Sequence, residues 1–420
     1  MGPTADCGGG LNGHVRLTRL TLVLALASCG SNGPAPQAPL GPRQTAVDST
    51  ALADVVGWYH AGDLGPVLVT WGADDALTLM AVRDTMLWTR MNPVGPDSFA
   101  IRRSAELPPA GIRYLRAEDG AVTGFRWSDG ERVRSAQRMA AEAYTPHPVA
   151  YTAPDGTPLA ATLFVPEGDG PHPGAVMLHG SGTSTRDNVW YMALVDAMAS
   201  RGIAVLFPDK RGSGASGGDW TTASLHVLAE DALVGVEWLR RYAAVDSAHV
   251  GLVGISQGGH VAPMAAAASA LVAYVVNISG SAVPLDEQVR HEVTQDLRRS
   301  RWPGFLHRPI RSIALGRIRD RHPEWWRLNG AIDPIPSWRA LTVPGLVLYG
   351  AEDEYDNVPV GRSVERLTAL AEPDLAIRVY EGSGHALYAE GTRRIRPEVL
   401  ELLPVWILSI RRGAAKGAGS

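Results

Sequence analysis

At 420 residues the chain is too long for one small domain and suits two, or one large domain with an extension. Hydrophobic residues make up 45% and charged residues 20%, the balance of a globular protein with a core to bury. A formal net charge of −4 excludes the basic character of a nucleic-acid binder, and two cysteines, Cys7 and Cys29, exclude a disulfide framework for the folded body.

The N-terminus accounts for the cysteines. Arg16 and Arg19 precede the apolar run Leu20–Ala27, which is too short to span a membrane and has the proportions of a signal-peptide core. The run ends in Leu26-Ala27-Ser28-Cys29, which resembles the lipobox of bacterial lipoproteins. In that family the cysteine is lipidated and becomes the first mature residue. The resemblance implies a signal peptide and lipobox over 1–29, export to the cell envelope, and membrane attachment through a lipid on Cys29. A plain secretory signal with a chance cysteine is the alternative. The Gly-rich stretch before Arg16 is long for such a signal, so translation starting near Val15 is a further expectation. Residues 30–47 are rich in proline with little to bury, and read as a tether.

Over 48–140 the pattern is β-like. Gly65–Trp71, Leu77–Val82, Ser98–Arg102 and Val122–Trp127 are runs of strand formers separated by turns such as Glu118-Asp119-Gly120. This predicts a small antiparallel or barrel-like accessory domain. It has no cluster of residues at metal-ligand spacing.

From 141 to 412 the rhythm becomes α/β. Val149–Val165 reads as a hairpin turning at Asp155-Gly156. Strands are expected at Gly174–His179, Ile203–Phe207, Val250–Ile255, Ala273–Ile278, Gly345–Tyr349 and Leu375–Tyr380. Helical stretches fall at Tyr191–Ser200, His226–Tyr242, after Ser256, at Val360–Leu370 and at Pro397–Ile410. Such alternation predicts a mostly parallel sheet covered on both faces. A basic, Trp-bearing stretch over 284–340 interrupts it as an insertion. Its Trp302, Trp325, Trp326 and Trp338 either line an acyl pocket or pack lid helices on the body.

The chemistry centres on Gly254-Ile255-Ser256-Gln257-Gly258, a G-x-S-x-G sequence between an apolar strand and an Ala-rich helix. A serine on such a sharp turn projects its hydroxyl from the sheet, and the crowded backbone favours flanking glycines. The alternative is a Gly-rich turn with an idle serine. Serine is a weak nucleophile without a base, and His385 lies in Glu381-Gly-Ser-Gly-His385, directly after a strand. The orienting acid is sought in Gly350-Ala-Glu-Asp-Glu-Tyr-Asp356. Asp353 is favoured over Asp356 because distance from the strand end fixes where a side chain points. The order Ser256, Asp353, His385 is that of α/β-hydrolases. Leu178-His-Gly-Ser-Gly182 resembles the oxyanion loop of the same superfamily, which implies the backbone N–H groups of Ser181 and Gln257 as oxyanion donors. Asp209-Lys-Arg-Gly-Ser-Gly-Ala-Ser216 lacks the spacing of a nucleotide loop and resembles the D-x-R-G-x-G-x-S rim segment of α/β-hydrolases.

Residues 145–410 therefore resemble a serine α/β-hydrolase of the dienelactone-hydrolase and prolyl-oligopeptidase-like group. The resemblance implies an α/β-hydrolase fold with a helical lid insertion and a small N-terminal β domain. It implies an ester-cleaving serine hydrolase with a small-molecule acyl ester as partner, and no cofactor or metal. A peptidase or acyltransferase with the same triad, and an inactive surface-anchored binding protein, are the alternatives. One departure is visible: Val358-Pro359 lies five residues after Asp353, where family members have three.

Overall fold

The computed structural model describes residues 52–417 except 53, 63–64, 73–76, 82–86, 102–109, 129–132, 140–142 and 371–373. The expected signal peptide, Cys29 and the expected tether lie outside the described residues. Among the described residues no helix is long and apolar enough to cross a membrane.

The N-terminal part is a closed antiparallel barrel of β1 (Gly57–His60), β2 (Pro66–Trp71), β3 (Leu77–Ala81), β4 (Leu87–Gly95), β5 (Ser98–Ile101), β6 (Ala110–Arg116), β7 (Val122–Ser128) and β8 (Val133–Arg138). Closure comes from β8 pairing back on β1, Arg138 opposite Tyr59. Alternation along each strand sends one set of side chains inward. Tyr59, Phe99, Tyr114 and Phe125 meet inside as tilted and edge-on rings, so the interior is a packed core. The other set includes Trp58, Leu68 and Met80, register partners on β1, β2 and β3. This row is buried in the same cluster as Tyr144, Phe164 and Met177 of the C-terminal unit. Barrel and C-terminal sheet thus share a core.

The second unit is an eight-stranded sheet. β9 (Tyr144–Thr152) and β10 (Pro158–Pro166) form the expected hairpin, with Gly156 at φ +86°. β11 (His172–Leu178), β12 (Ala204–Pro208), β13 (Val245–Ile255), β14 (Val275–Ile278), β15 (Gly345–Gly350) and β16 (Leu375–Tyr380) run parallel in spatial order β16-β15-β14-β13-β11-β12, and β10-β9 continues the sheet. β11, β14 and β15 are buried at every position, as expected of strands covered on both faces. The helices α1 (Val189–Ala199), α2 (Leu225–Arg240) and α3 (Gly258–Ala268) follow β11, β12 and β13. α2 and α3 pack in one core cluster and α1 in the other, where α9 (Pro397–Gly417) joins it.

Between β14 and β15 lie four helices, α4 (Leu285–Arg299), α5 (Gly304–Arg321), α6 (Pro323–Asn329) and α7 (Ile335–Arg339); α8 (Val360–Thr368) follows β15. α4 and α5 make a small core of their own from Val293, Leu297, Ala314 and Ile318. The insertion is tied down by Asn329, whose amide oxygen accepts from the Leu225 N–H at the start of α2 (2.7 Å). Trp325 and Trp338 are buried in the body's core, whereas Trp302 is exposed. Packing is therefore the role of the first two.

Candidate active site

The parallel register sets the site. Ile255 at the end of β13 pairs with Ile278 of β14, and Ile278 with Leu348 of β15. The chain leaves each strand at one edge of the sheet, so Ser256, Ser279, Asp353 and His385 all come just beyond the carboxyl ends of neighbouring strands.

Ser256 sits at φ +52°, a left-handed conformation that costs a non-glycine residue about 1–3 kcal/mol. The neighbours that hold it there leave no space for side chains. A Cβ on Gly254 would lie 2.0 Å from the Gly258 carbonyl oxygen, and one on Gly258 would lie 2.4 Å from the Leu178 oxygen. Both contacts are with backbone, which cannot swing aside. The Ser256 amide donates to the Ile278 carbonyl (2.8 Å), pinning the turn to β14.

His385 and Asp353 are joined directly, Nδ1 to Oδ2 at 2.7 Å. The Asp353 side chain is fully buried and that of His385 is 25% exposed, so the carboxylate is sealed while the imidazole stays reachable. The other Asp353 oxygen accepts from the Asn357 N–H (3.2 Å). Asp356 instead points outward and pairs with Arg299 of α4 (2.7 Å). Asp353 sits in the middle of the short 3-10 turn Ala351–Tyr355, and the residues after the turn, Asp356 and Asn357, carry the chain on to Val358. Burial alone would lower the His385 pKa. The charge and hydrogen bond of Asp353, with Asp356 and Glu292 behind it, more than offset this and hold the ring above its ordinary range.

The Asp353 and His385 loops meet backbone to backbone. A Cβ on Gly350 would lie 2.2 Å from the Ser383 oxygen, and the Glu352 N–H donates to that same oxygen (2.9 Å). The His385 loop is fixed from two further sides. Ser279 Oγ donates to the His385 carbonyl (2.8 Å), and the Trp190 indole N–H donates to the Ala386 carbonyl (3.0 Å). Ser256 and His385 are thus both tied to the end of β14, one through Ile278 and one through Ser279. Among the described residues the Ser256 hydroxyl makes no hydrogen bond; the bonded pair is His385–Asp353.

The loop after β11 comes up against the serine: a Cβ on Gly180 would lie 3.4 Å from the Ser256 Cβ. The Gly180 N–H is already used, donating to Tyr191 Oη (2.9 Å). Among the described residues neither the Ser181 nor the Gln257 N–H has a hydrogen-bond partner, and the Ser181 hydroxyl is buried without one. His179 anchors the loop, with Nε2 donating to the Pro208 carbonyl (2.6 Å) and Nδ1 accepting from Ser184 Oγ (2.7 Å). Burial pushes it down to about 4, so it is a neutral anchor. Asp209 is a second anchor, its carboxylate accepting from the N–H groups of Arg186 and Ala215.

Several groups at the site escaped sequence reasoning. Tyr191 and Ser279 had no signal in the sequence. Lys210 had one, its place at the carboxyl end of a strand. Glu292 of α4 is pushed up to about 8 by burial, then by Asp296 and Asp356, with His385 opposing. Among the described residues no group of three or more His, Cys, Asp or Glu is placed to hold a metal ion.

A serine forced onto a strained turn, a buried carboxylate bound to a reachable imidazole, and two N–H donors beside them can together attack and stabilise an acyl centre. A model of the Alpha/beta hydrolase family matches residues 175–397, just over half of the chain. The chain belongs to the alpha/beta hydrolase family. Its matched region runs from β11 to the start of α9 and so contains Ser181, Ser256, Gln257, Asp353 and His385.

An uncharacterised 31.7 kDa protein of the traX-finO intergenic region of Escherichia coli is 33% identical over 109 residues, 26% of this chain. The chain spans 37% of the length of that curated relative. Among solved structures, a 2,6-dihydroxy-pseudo-oxynicotine hydrolase is 20% identical with TM-score 0.47, over 63% of this chain and 68% of that one. A Pyrococcus furiosus esterase is 20% identical with TM-score 0.46, over 64% and 90%. An acetyl xylan esterase from a Paenibacillus species is 18% identical with TM-score 0.45, over 65% and 86%.

Proposed function

We propose that this family member is a serine hydrolase that cleaves carboxylic esters through an acyl-enzyme. The observation that carries the reading is the 2.7 Å His385–Asp353 pair on strand ends neighbouring the strained Ser256 turn. With Nδ1–H donating to Asp353, the free lone pair of the neutral imidazole is on Nε2. That nitrogen takes the Ser256 proton as Oγ attacks the ester carbonyl, and the oxyanion is held by the N–H groups of Ser181 and Gln257. His385 then gives the proton to the leaving alcohol. Water, deprotonated by the same nitrogen, releases the acid and restores Ser256. Asp353 stabilises the imidazolium at both stages.

Within the family, the order HGSG at 179–182, DKRGSGAS at 209–216, GISQGG at 254–259 and GSGH ending at 385 supports a place near the dienelactone-hydrolase and prolyl-oligopeptidase-like group. Leu26-Ala-Ser-Cys29 supports an envelope lipoprotein held to the membrane through Cys29. The test of function is turnover of a panel of p-nitrophenyl esters beside aminoacyl anilides. The reading expects ester turnover to dominate. Anilide turnover above that of every ester would make the protein a peptidase.

A further inference from the structure

Lys210 is a buried cation that the triad does not use. It follows β12 and reaches between the loop after β11 and the serine turn. Nζ donates to the Gly180 carbonyl (2.8 Å) and to Gln257 Oε1 (2.7 Å), and lies 5.3 Å from the centroid of the Trp220 ring. The three N–H bonds of an ammonium are thereby matched to two oxygens and an aromatic face. The residue is only 7% exposed and none of these partners is a carboxylate. A buried ammonium without a counterion is costly, and burial pushes Lys210 down to about 7. A methionine of similar length would fill the same space without that cost.

We propose that Lys210 is a positioning residue for the oxyanion site, orienting and polarising the peptide whose N–H receives the oxyanion. This rests on the serine-hydrolase reading. The Gly180 carbonyl and the Ser181 N–H are opposite ends of one planar peptide unit. A cation on the oxygen fixes the rotation of that plane, so the N–H cannot turn away from the oxygen on the carbon that Ser256 attacks. It also draws electron density toward the oxygen, and hydrogen bonds in such a chain strengthen one another by about 10–30% each. The preceding peptide is held from the other side by Tyr191. Through Gln257 Oε1 the same ammonium ties down the residue that carries the second donor. One side chain thus sets both donors while standing behind them, out of contact with the reacting atoms.

The experiment uses the full chain and the variants Lys210→Met, Lys210→Gln and Ser256→Ala. It measures kcat and KM on p-nitrophenyl butyrate, thermal melting, and the rate of Ser256 phosphonylation by a fluorophosphonate, whose adduct is tetrahedral. Loss of a whole oxyanion donor costs about 100- to 1,000-fold in kcat. A group acting behind the donors should cost less. In Lys210→Met kcat should fall about 10- to 100-fold with KM within about twofold, and phosphonylation should fall by the same factor. Lys210→Gln keeps a neutral donor and should fall between this variant and wild type. It decides alone if the methionine variant does not fold, at least about fivefold loss in kcat supporting the proposal. Wild-type kcat, or a raised KM with kcat retained, overturns it. Failure of both variants to fold would make Lys210 a folding residue and also overturns it. Activity retained in Ser256→Ala removes the serine mechanism itself, and this proposal with it. A Ser256-dependent enzyme indifferent to Lys210 removes this proposal alone.

Discussion

Replacing Asp353 by asparagine keeps the shape of the side chain and removes one acceptor. Both carboxylate oxygens are in use, one accepting from His385 Nδ1–H at 2.7 Å and the other from the Asn357 N–H at 3.2 Å. An asparagine amide has one oxygen and one NH2, and no rotation serves both donors. If its oxygen faces Asn357, its NH2 meets the imidazole and favours the tautomer with the proton on Nε2, where it cannot act as base. If it faces His385, two N–H groups oppose each other in a fully buried position. Either way the imidazolium loses its carboxylate. Such a loss costs about 10,000-fold in kcat, which is about 5 kcal/mol of transition-state stabilisation. Asp356→Asn breaks only a half-exposed pair with Arg299, worth about 0–1 kcal/mol, and should leave kcat within about tenfold of wild type. The assay is kcat and KM on one ester across pH. Because His385 is held above the ordinary 6.5, the acid limb of wild-type kcat/KM should lie above pH 6.5, activity rising as the ring loses its proton. In Asp353→Asn the residual activity should show that limb at lower pH. A kcat loss under tenfold in Asp353→Asn, or a larger loss in Asp356→Asn, would refute the assignment of the acid.

Gly254→Ala puts a methyl 2.0 Å from a backbone oxygen, so it should lower the melting temperature by several degrees or prevent folding; a wild-type melting curve would contradict the geometry of the turn. Trp58→Ala should destabilise by about 3–5 kcal/mol, because Trp58 is buried in the core shared with the sheet and its indole N–H donates to the Tyr144 carbonyl (3.0 Å). Denaturant titration checks this, and a fragment starting near Ala143 should be insoluble for the same reason. Cys29→Ser should release the protein from membranes with ester turnover unchanged, and a wild type already soluble and unacylated would contradict the anchor.

The sheet was legible because most of its strands are short apolar runs, and each predicted run lies within about two residues of a strand end, with β13 extending further back to Val245. Asp353 was favoured for its distance past β15, and it is the carboxylate that meets His385 Nδ1. Half of the barrel was not. In β8 only Ala136 is fully buried, and the strand carries Arg134 and Arg138 on other positions, so no apolar run announces it. β4 contains Asn92 and Pro93, residue types depleted in strands. Lys210 was read as part of a rim segment. Its bonds reach Gly180, thirty residues back, and Gln257, forty-seven ahead, and no local pattern encodes such a reach. Glu292 sits on a helix of the insertion full of charge, where nothing local separates a half-buried carboxyl from an exposed one.

The central claim is that Ser256 is the nucleophile, and covalent labelling tests it most directly. The full chain is treated with a fluorophosphonate probe, digested, and the modified peptide sequenced by mass spectrometry. The account predicts one adduct, on Ser256, formed in step with loss of ester turnover. It predicts no adduct in Ser256→Ala, whose kcat should fall at least about a thousandfold with its melting curve retained. An adduct on another residue, or turnover that survives full labelling of Ser256, would contradict it.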